Sequence, residues 1–342
     1  MSEFQPNMSK RIQEFGSDMR YQLNNVVYGE PEAVDATIVG LTSGSEILLA
    51  GPPGGSKTEL AKALVSSIFG LTIDNIADIP PQSDLSPARL IGGSVKVSKT
   101  ILRNGQTEIE TTETATEGIL KPDSTVFVFG DEVNRVNPLA INALLPVLSG
   151  RELPSDKGRT PMSNLLNGIF TMNPGERAQA TFPLTSAFIG RLGVGAFIGA
   201  SHTKSHEERA GIISAIAQRN ESVNFEALSK LTSVDEIKAI RSYIAQNVVM
   251  PSNGATQDYF AKSVIDMTDT LRDMKITNES DGRDAVQLAR NAKSLAALGG
   301  RELVEAVDVL TAAKMLSTAR IAAQSRDAYT QIPQMHQMLE NI

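Results

Sequence analysis

The chain has 342 residues, enough for one large domain or two ordinary ones, each with its own core. Its 41% hydrophobic and 21% charged content is that of a folded globular protein, and a formal charge of -7 argues against a broad basic face for duplex nucleic acid. The absence of cysteine excludes disulfides, thiolate metal sites and thiol nucleophiles, and neither a signal-like leader nor an 18-residue apolar run is present, so a cytoplasmic protein without a membrane segment is expected.

Residues 1–23 read as a polar, partly helical lead-in, followed by a turn at 24–29. The run EILLA at 46–50 has the continuous apolar character of a strand buried on both faces, and Gly51 ends it. After a glycine-rich loop, Leu60, Ala63, Leu64, Ser67 and Ile68 recur at helical spacing, and Gly70 supplies a stop. Val95 and Val97 alternate with polar residues, Asn104-Gly105 offers a two-residue turn, and Thr107, Ile109 and Thr111 continue the alternation, which predicts a β-hairpin insertion. A second buried strand is expected at 126–129 and a third at 168–172, with another hairpin at 152–162 turning at Asp156-Lys157-Gly158. Strands alternating with helices imply an α/β fold with a right-handed, parallel sheet. Beyond about residue 205 only helical periodicity remains, as in Leu288, Ala292, Leu295 and Ala296. The expected division is the lead-in at 1–23, an α/β core at 24–204, a small helical domain at 205–323, and a tail at 324–342 that is a last helix or a docking segment.

Residues 51–58 read GPPGGSKT, with the first glycine, the lysine and the hydroxyl residue of a phosphate-binding loop at the right spacing. Glycines let successive backbone N–H groups turn toward one point, and the following helix adds its positive end, so phosphate oxygens are held by many dipoles together. Gly51, Pro52, Pro53, Gly54, Gly55 and Ser56 would form the cradle, with Glu59 in the first helical turn. Lys57 would place a charge at the β- and γ-phosphates of ATP, and the Thr58 hydroxyl would ligate Mg2+. Ser56 stands where the pattern has glycine.

The run VFVFGDEVNR ends a buried strand on Asp131 and Glu132. Carboxylates at the carboxyl end of a parallel strand lie where open α/β sheets bind ligands. Asp131 would hold Mg2+ through water, and Glu132 would polarise an attacking water. The competing role is capping of the helix that starts near Pro138. Asn173, at the end of NGIFTMNP, can donate and accept beside a γ-phosphate, although Asn-Pro is also an ordinary turn starter.

Taken together, these segments resemble the MoxR branch of the AAA+ ATPases over roughly residues 24–322. GPPGGSKT resembles its Walker A loop, where a small residue before the lysine is common, and DEVNR at 131–135 resembles its Walker B segment. TMNP is similar to sensor 1, which implies that role for Asn173, and FPLTSAFIGRL is similar to the stretch ending in an arginine finger, which implies Arg191; a surface ion pair is the alternative for Arg191. SDGRDAVQLARNAKSLAALGG resembles the sensor 2 helix, which implies Arg283, with Gly282 where the family usually has proline. Val27 and Tyr28 resemble the turn that packs on adenine, core packing being the other reading for Tyr28. The resemblance implies an AAA+ core with a parallel sheet, a helix-2 insert and a pre-sensor-1 hairpin, followed by an all-helical lid. It further implies a ring, most simply a hexamer, that remodels or matures a client protein and works with a von Willebrand factor A domain partner.

Two other classes remain open: a nucleotide-dependent scaffold or switch with slow hydrolysis, and a phosphoryl-transfer enzyme acting on a small molecule. His202 and His206 are four apart, but a solvated helix start accounts for them better than a metal site.

Overall fold

The computed structural model describes residues 5–27, 29–52, 57–103, 106–155, 158–174, 181–199, 207, 210, 228–276 and 281–342. Helix α1 (Gln5–Asn24) places Ile12, Phe15, Met19 and Leu23 on one stripe at spacings of three and four, and all four are fully buried. It packs on α2 (Pro31–Ser43), which opens with proline and ends on Gly44 in the left-handed region at φ 75. The segment read as a lead-in is therefore built into the body of the protein.

From α2 the chain enters β1 (Glu46–Ala50), then α3 (Lys57–Lys62), which continues as a π-helical turn over Ala63–Ile68 and stops at Gly70 with φ 62. Next come β2 (Ile76–Ile79), the short α4 (Pro87–Ile91), and the long antiparallel hairpin of β3 (Gly93–Arg103) and β4 (Gln106–Thr116). Then β5 (Phe127–Gly130) leads to α5 (Pro138–Ala143) and α6 (Leu145–Gly150). Pro146 at the start of α6 cannot donate to the preceding turn, so a single helix is split in two. The second hairpin, β6 (Glu152–Ser155) and β7 (Gly158–Pro161), precedes β8 (Asn167–Met172). A turn of helix, α7 (Ser186–Ile189), brings the chain to β9 (Leu192–Phe197).

Five of these strands form one parallel sheet in the order β2-β5-β8-β1-β9. The three central strands are those expected from the sequence, displaced by a residue at most; the two edge strands were not expected. Strand β2 has only four residues with an exposed Asp78 among them, too short and too polar to read as a buried run. Strand β9 contains Gly193 and Gly195, which weaken a strand signal. Both are required by packing: a Cβ on Gly195 would lie 2.5 Å from the Ala319 backbone, and one on Gly193 would lie 2.7 Å from the Ser45 side chain.

The remaining described helices are α8 (Val234–Asn247), α9 (Ala255–Asp273), α10 (Asp281–Leu298), α11 (Ala306–Gln324) and α12 (Ala328–Glu340). Helix α11 is alanine-rich and buried around nearly its whole circumference, because it lies directly across β9 on one side and meets α9, α10 and α12 on the others. The segment beyond residue 324, open between helix and docking tail, is a helix whose Ile332, Met335 and Leu339 are buried against α11 and α9. Among the described residues no helix is long and apolar enough to cross a membrane.

Candidate nucleotide and hydrolysis site

Strand β1 hands the chain to the phosphate loop at Gly51, where φ is 153 and a Cβ would lie 2.0 Å from the Ile198 carbonyl oxygen. Only glycine fits that exit. Lys57 opens α3 at 6% exposure, and its ammonium donates to the carbonyls of Gly51 at 3.1 Å and Pro52 at 2.6 Å, so the charge is folded against the loop itself. The Thr58 hydroxyl donates to Asp131 Oδ1 at 3.1 Å. Thr171, one strand across on β8, donates to the same oxygen at 2.5 Å, and its hydroxyl accepts the Glu132 N–H at 2.9 Å.

Glu132 stands in the left-handed region at φ 43 and ψ 53, where β5 breaks into a single turn over Val133–Arg135. For a residue with a side chain that conformation costs about 1–3 kcal/mol, and the surrounding bonds hold it. Its carboxylate is fixed from two sides: Asn173 Nδ2 donates to Oε1 at 2.8 Å, and Arg135 Nε lies 3.0 Å from Oε2. The donor chemistry suits a hard cation. A hydroxyl and a carboxylate oxygen 3.1 Å apart are the ligand type Mg2+ takes, the rest of its shell coming from water and phosphate.

The other end of the sheet carries arginines. Arg191 precedes β9; its Nε donates to Ser149 Oγ at 2.7 Å and its Nη1 to the Ala187 carbonyl at 2.9 Å. Arg283, in the first turn of α10, lines a shallow cavity of about 250 Å³ together with Arg191, Arg290 and the segment Gly44, Ser45 and Glu46. Partial burial, and then the charge of Arg283, lower the pKa of Arg191. Glu46 is the first residue of β1 and Gly51 follows the last, so about 16 Å of strand, at roughly 3.3 Å per residue, separates the arginines from the chain's own phosphate loop.

Comparison with known proteins bears on this arrangement. The AAA domain of the dynein-related subfamily matches residues 46–192. The chain is 28% identical over 301 residues to Chaperone MoxR1 of Mycobacterium tuberculosis, covering 85% of this chain and 71% of that one. It is 27% identical over 170 residues to the uncharacterized protein YeaC of Bacillus subtilis, covering 50% of this chain and 48% of the other. A crystal structure from Cytophaga hutchinsonii, described as that of a candidate ATPase, superposes with a TM-score of 0.67 at 22% identity, over 92% of this chain and 89% of that chain, and so shares the fold. Residues 46–192 thus form an AAA domain, and over most of its length the chain is similar to a MoxR-type chaperone.

Around this AAA domain, Lys57, Thr58, Asp131, Glu132 and Asn173 are brought to one end of the sheet, and Arg191 and Arg283 to the other. Glu59 is exposed on α3, whereas Val27 is a core side chain at 1% exposure that closes α1 through its N–H to the Leu23 carbonyl. Tyr28, Pro53, Gly54, Gly55, Ser56, His202 and His206 lie outside the described residues. Sequence reasoning assigned no role to Thr171 or Arg135. A signal for Thr171 existed: a hydroxyl on a strand buried along its whole length must find a partner. Arg135 had none, because an arginine four residues after an aspartate reads equally well as a solvated helix residue.

Proposed function

We propose that the chain assembles as a ring, most simply a hexamer, in which each ATP is bound by one subunit and its hydrolysis is completed by the next. The observation that supports this reading is the separation of the two ends of β1: the arginines gather beside Glu46, about 16 Å of strand from their own phosphate loop, and so are placed better for a neighbour's. Magnesium bound with the nucleotide supplies charge neutralisation at the phosphates. The rest falls to the chain. Lys57 leaves the carbonyls of Gly51 and Pro52 for phosphate oxygens, and Thr58 and Asp131 face the cation. Glu132, steered by Asn173 and Arg135, orients water and takes its proton. Arg191 and Arg283 of the adjacent subunit present fixed guanidinium forks to the charge that develops on the transferring group.

In this reading hydrolysis is spent on remodelling or maturing a client protein in the cytoplasm, in company with a partner bearing a von Willebrand factor A domain. Support comes from the similarity to a chaperone, and from two antiparallel hairpins, β3–β4 and β6–β7, each a two-stranded sheet separate from the central one. The test combines two inactive variants. Glu132→Gln subunits keep their arginines, Arg191→Ala subunits keep their carboxylate, and mixing them before assembly is expected to regenerate turnover that neither has alone. A rate per subunit that is independent of protein concentration, with no regeneration on mixing, would overturn the shared site.

A further inference from the structure

Helix α11 buries one arginine completely. Arg320 is 1% exposed in an alanine-rich helix, and its partner Asp284 is 2% exposed at the side-chain level. A buried ion pair of this kind contributes little net stability compared with well-packed apolar residues, so its presence calls for another account. The bonds supply one. Arg320 Nη1 donates to the Ile189 carbonyl and, at 2.6 Å, to the Leu192 carbonyl, while Nη2 donates at 2.7 Å to Asp284 Oδ1 and at 2.7 Å to Gln287 Oε1. Gln287 Nε2 in turn donates to the Gly190 carbonyl at 3.2 Å and the Arg191 carbonyl at 3.3 Å. The carbonyls of four consecutive residues, 189 to 192, are thus held by two side chains of the helical region. Arg191 sits inside that held segment, and Asp284 is the residue next to Arg283.

We propose that Arg320, with Gln287 and Asp284, is a positioning clamp that locks Arg191 and Arg283 into one rigid register for presentation to the neighbouring subunit's ATP. The clamp rests on the shared-site reading above. Lysine could not replace Arg320, because the work is done by a planar fork whose donors point to fixed places, two toward the backbone on one side and two toward α10 on the other. Any swing of α10 and α11 relative to the sheet would carry both arginines with it, which ties the helical region to the catalytic geometry of the next subunit rather than to its own phosphate loop.

The experiment uses the full chain with two changes to the clamp. Gln287→Ala removes the half-exposed member, and the double variant Arg320→Met, Asp284→Leu removes both buried charges at once so that neither is left unpaired. Each is assembled alone, and each is mixed before assembly with excess Glu132→Gln subunits, which carry an intact clamp and intact arginines but do not hydrolyse. Alone, the clamp variants are expected to lose about 10- to 100-fold in kcat with KM for ATP within about twofold, the penalty of misplaced groups. In the mixture their turnover should return to that of wild-type subunits diluted in the same excess, because the arginines now come from the partner. Arg191→Ala in the same mixture is the control. If Arg191→Ala is not rescued, the shared site fails and takes the clamp with it. If it is rescued but both clamp variants turn over normally alone, or lose turnover that the excess does not restore, the clamp is overturned while the shared site stands.

Discussion

The two ends of β1 are built on opposite principles. At the carboxyl end, Thr58 and Thr171 bond to Asp131 and Asn173 to Glu132 side chain to side chain over 2.5 to 3.1 Å, the Glu132 backbone N–H joins the two groups through the Thr171 hydroxyl, and Glu132 is held in a strained backbone conformation. At the amino end, the functional candidates Arg191 and Arg283 are presented by a buried framework. Arg320 and Asp284 stand behind them, and beneath them Glu46 meets Arg151 at 2.8 Å while Arg241 donates to Asn167 Oδ1 at 2.6 Å. One end bonds what it needs to react; the other buries charge in order to aim it. On the proposed shared site, the difference teaches that catalysis would be divided between a chemically complete half-site and a mechanically supported one.

The sharpest way to break the comparison is at the aimed end. Arg191→Ala is expected to lower kcat by about 10³- to 10⁵-fold, the usual worth of an arginine finger, while retention of labelled ATP stays intact because the phosphate loop is about 16 Å away. Loss of nucleotide retention in that variant would mean that the two ends are not separate. At the reacting end, Glu132→Gln should lower turnover by about 10²- to 10⁴-fold, again with ATP retained, since Lys57 and Thr58 are untouched.

What could be read from the sequence follows the same division. The phosphate loop, the strand ending in Asp131-Glu132 and the strand ending in Asn173 are each local, contiguous runs whose chemistry sits at a strand end, so periodicity and position were enough to find them. The amino end is assembled from residues 46, 149, 191, 283, 287 and 320, contributed by β1, α6, α10, α11 and the residue before β9. Arg191 and Arg283 were nameable by resemblance alone, and Arg320 was not nameable at all: an arginine in TAAKMLSTARIAAQ gives no sign that it is buried against Asp284, Gln287 and the carbonyls of Ile189 and Leu192. Strand β9 escaped for a related reason, because its glycines answer to Ser45 and Ala319, residues distant in sequence.

A third change separates stability from chemistry. Burial raises the pKa of Glu46 in spite of Arg151, and burial, then Arg151, bring that of Arg241 down to about 10. Arg241 also donates to the Leu41 carbonyl at 2.7 Å and the Leu166 carbonyl at 3.3 Å. Arg241→Met removes one partner of this buried set and should cost about 3–5 kcal/mol in a urea titration. The folded fraction should still retain ATP. A variant that unfolds no more easily than wild type would show that the lower framework is solvent-relaxed rather than load-carrying.

The smallest effect concerns the layer behind the clamp. His336 on α12 lies 2.9 Å from the Thr318 hydroxyl, two residues before Arg320, and burial, then the Lys314 charge, lower its pKa to about 4, with Glu340 opposing. A histidine whose folded pKa lies below its unfolded value of about 6.5 adds stability that is full above that value and is lost as pH falls from there toward 4. Between pH 7.5 and pH 5 the loss amounts to about 2 kcal/mol, at 1.36 kcal/mol per pH unit below 6.5. Thermal unfolding of wild type should therefore shift downward on acidification, and His336→Gln, which keeps a hydrogen-bonding group but no titrating one, should flatten that part of the shift. Because Thr318 shares its helix with Arg320, acid should weaken the aimed end first: kcat should fall between pH 6.5 and 5 while ATP retention at the carboxyl end of β1 holds, and an equal decline in both would show that α12 props the whole sheet rather than the arginine end.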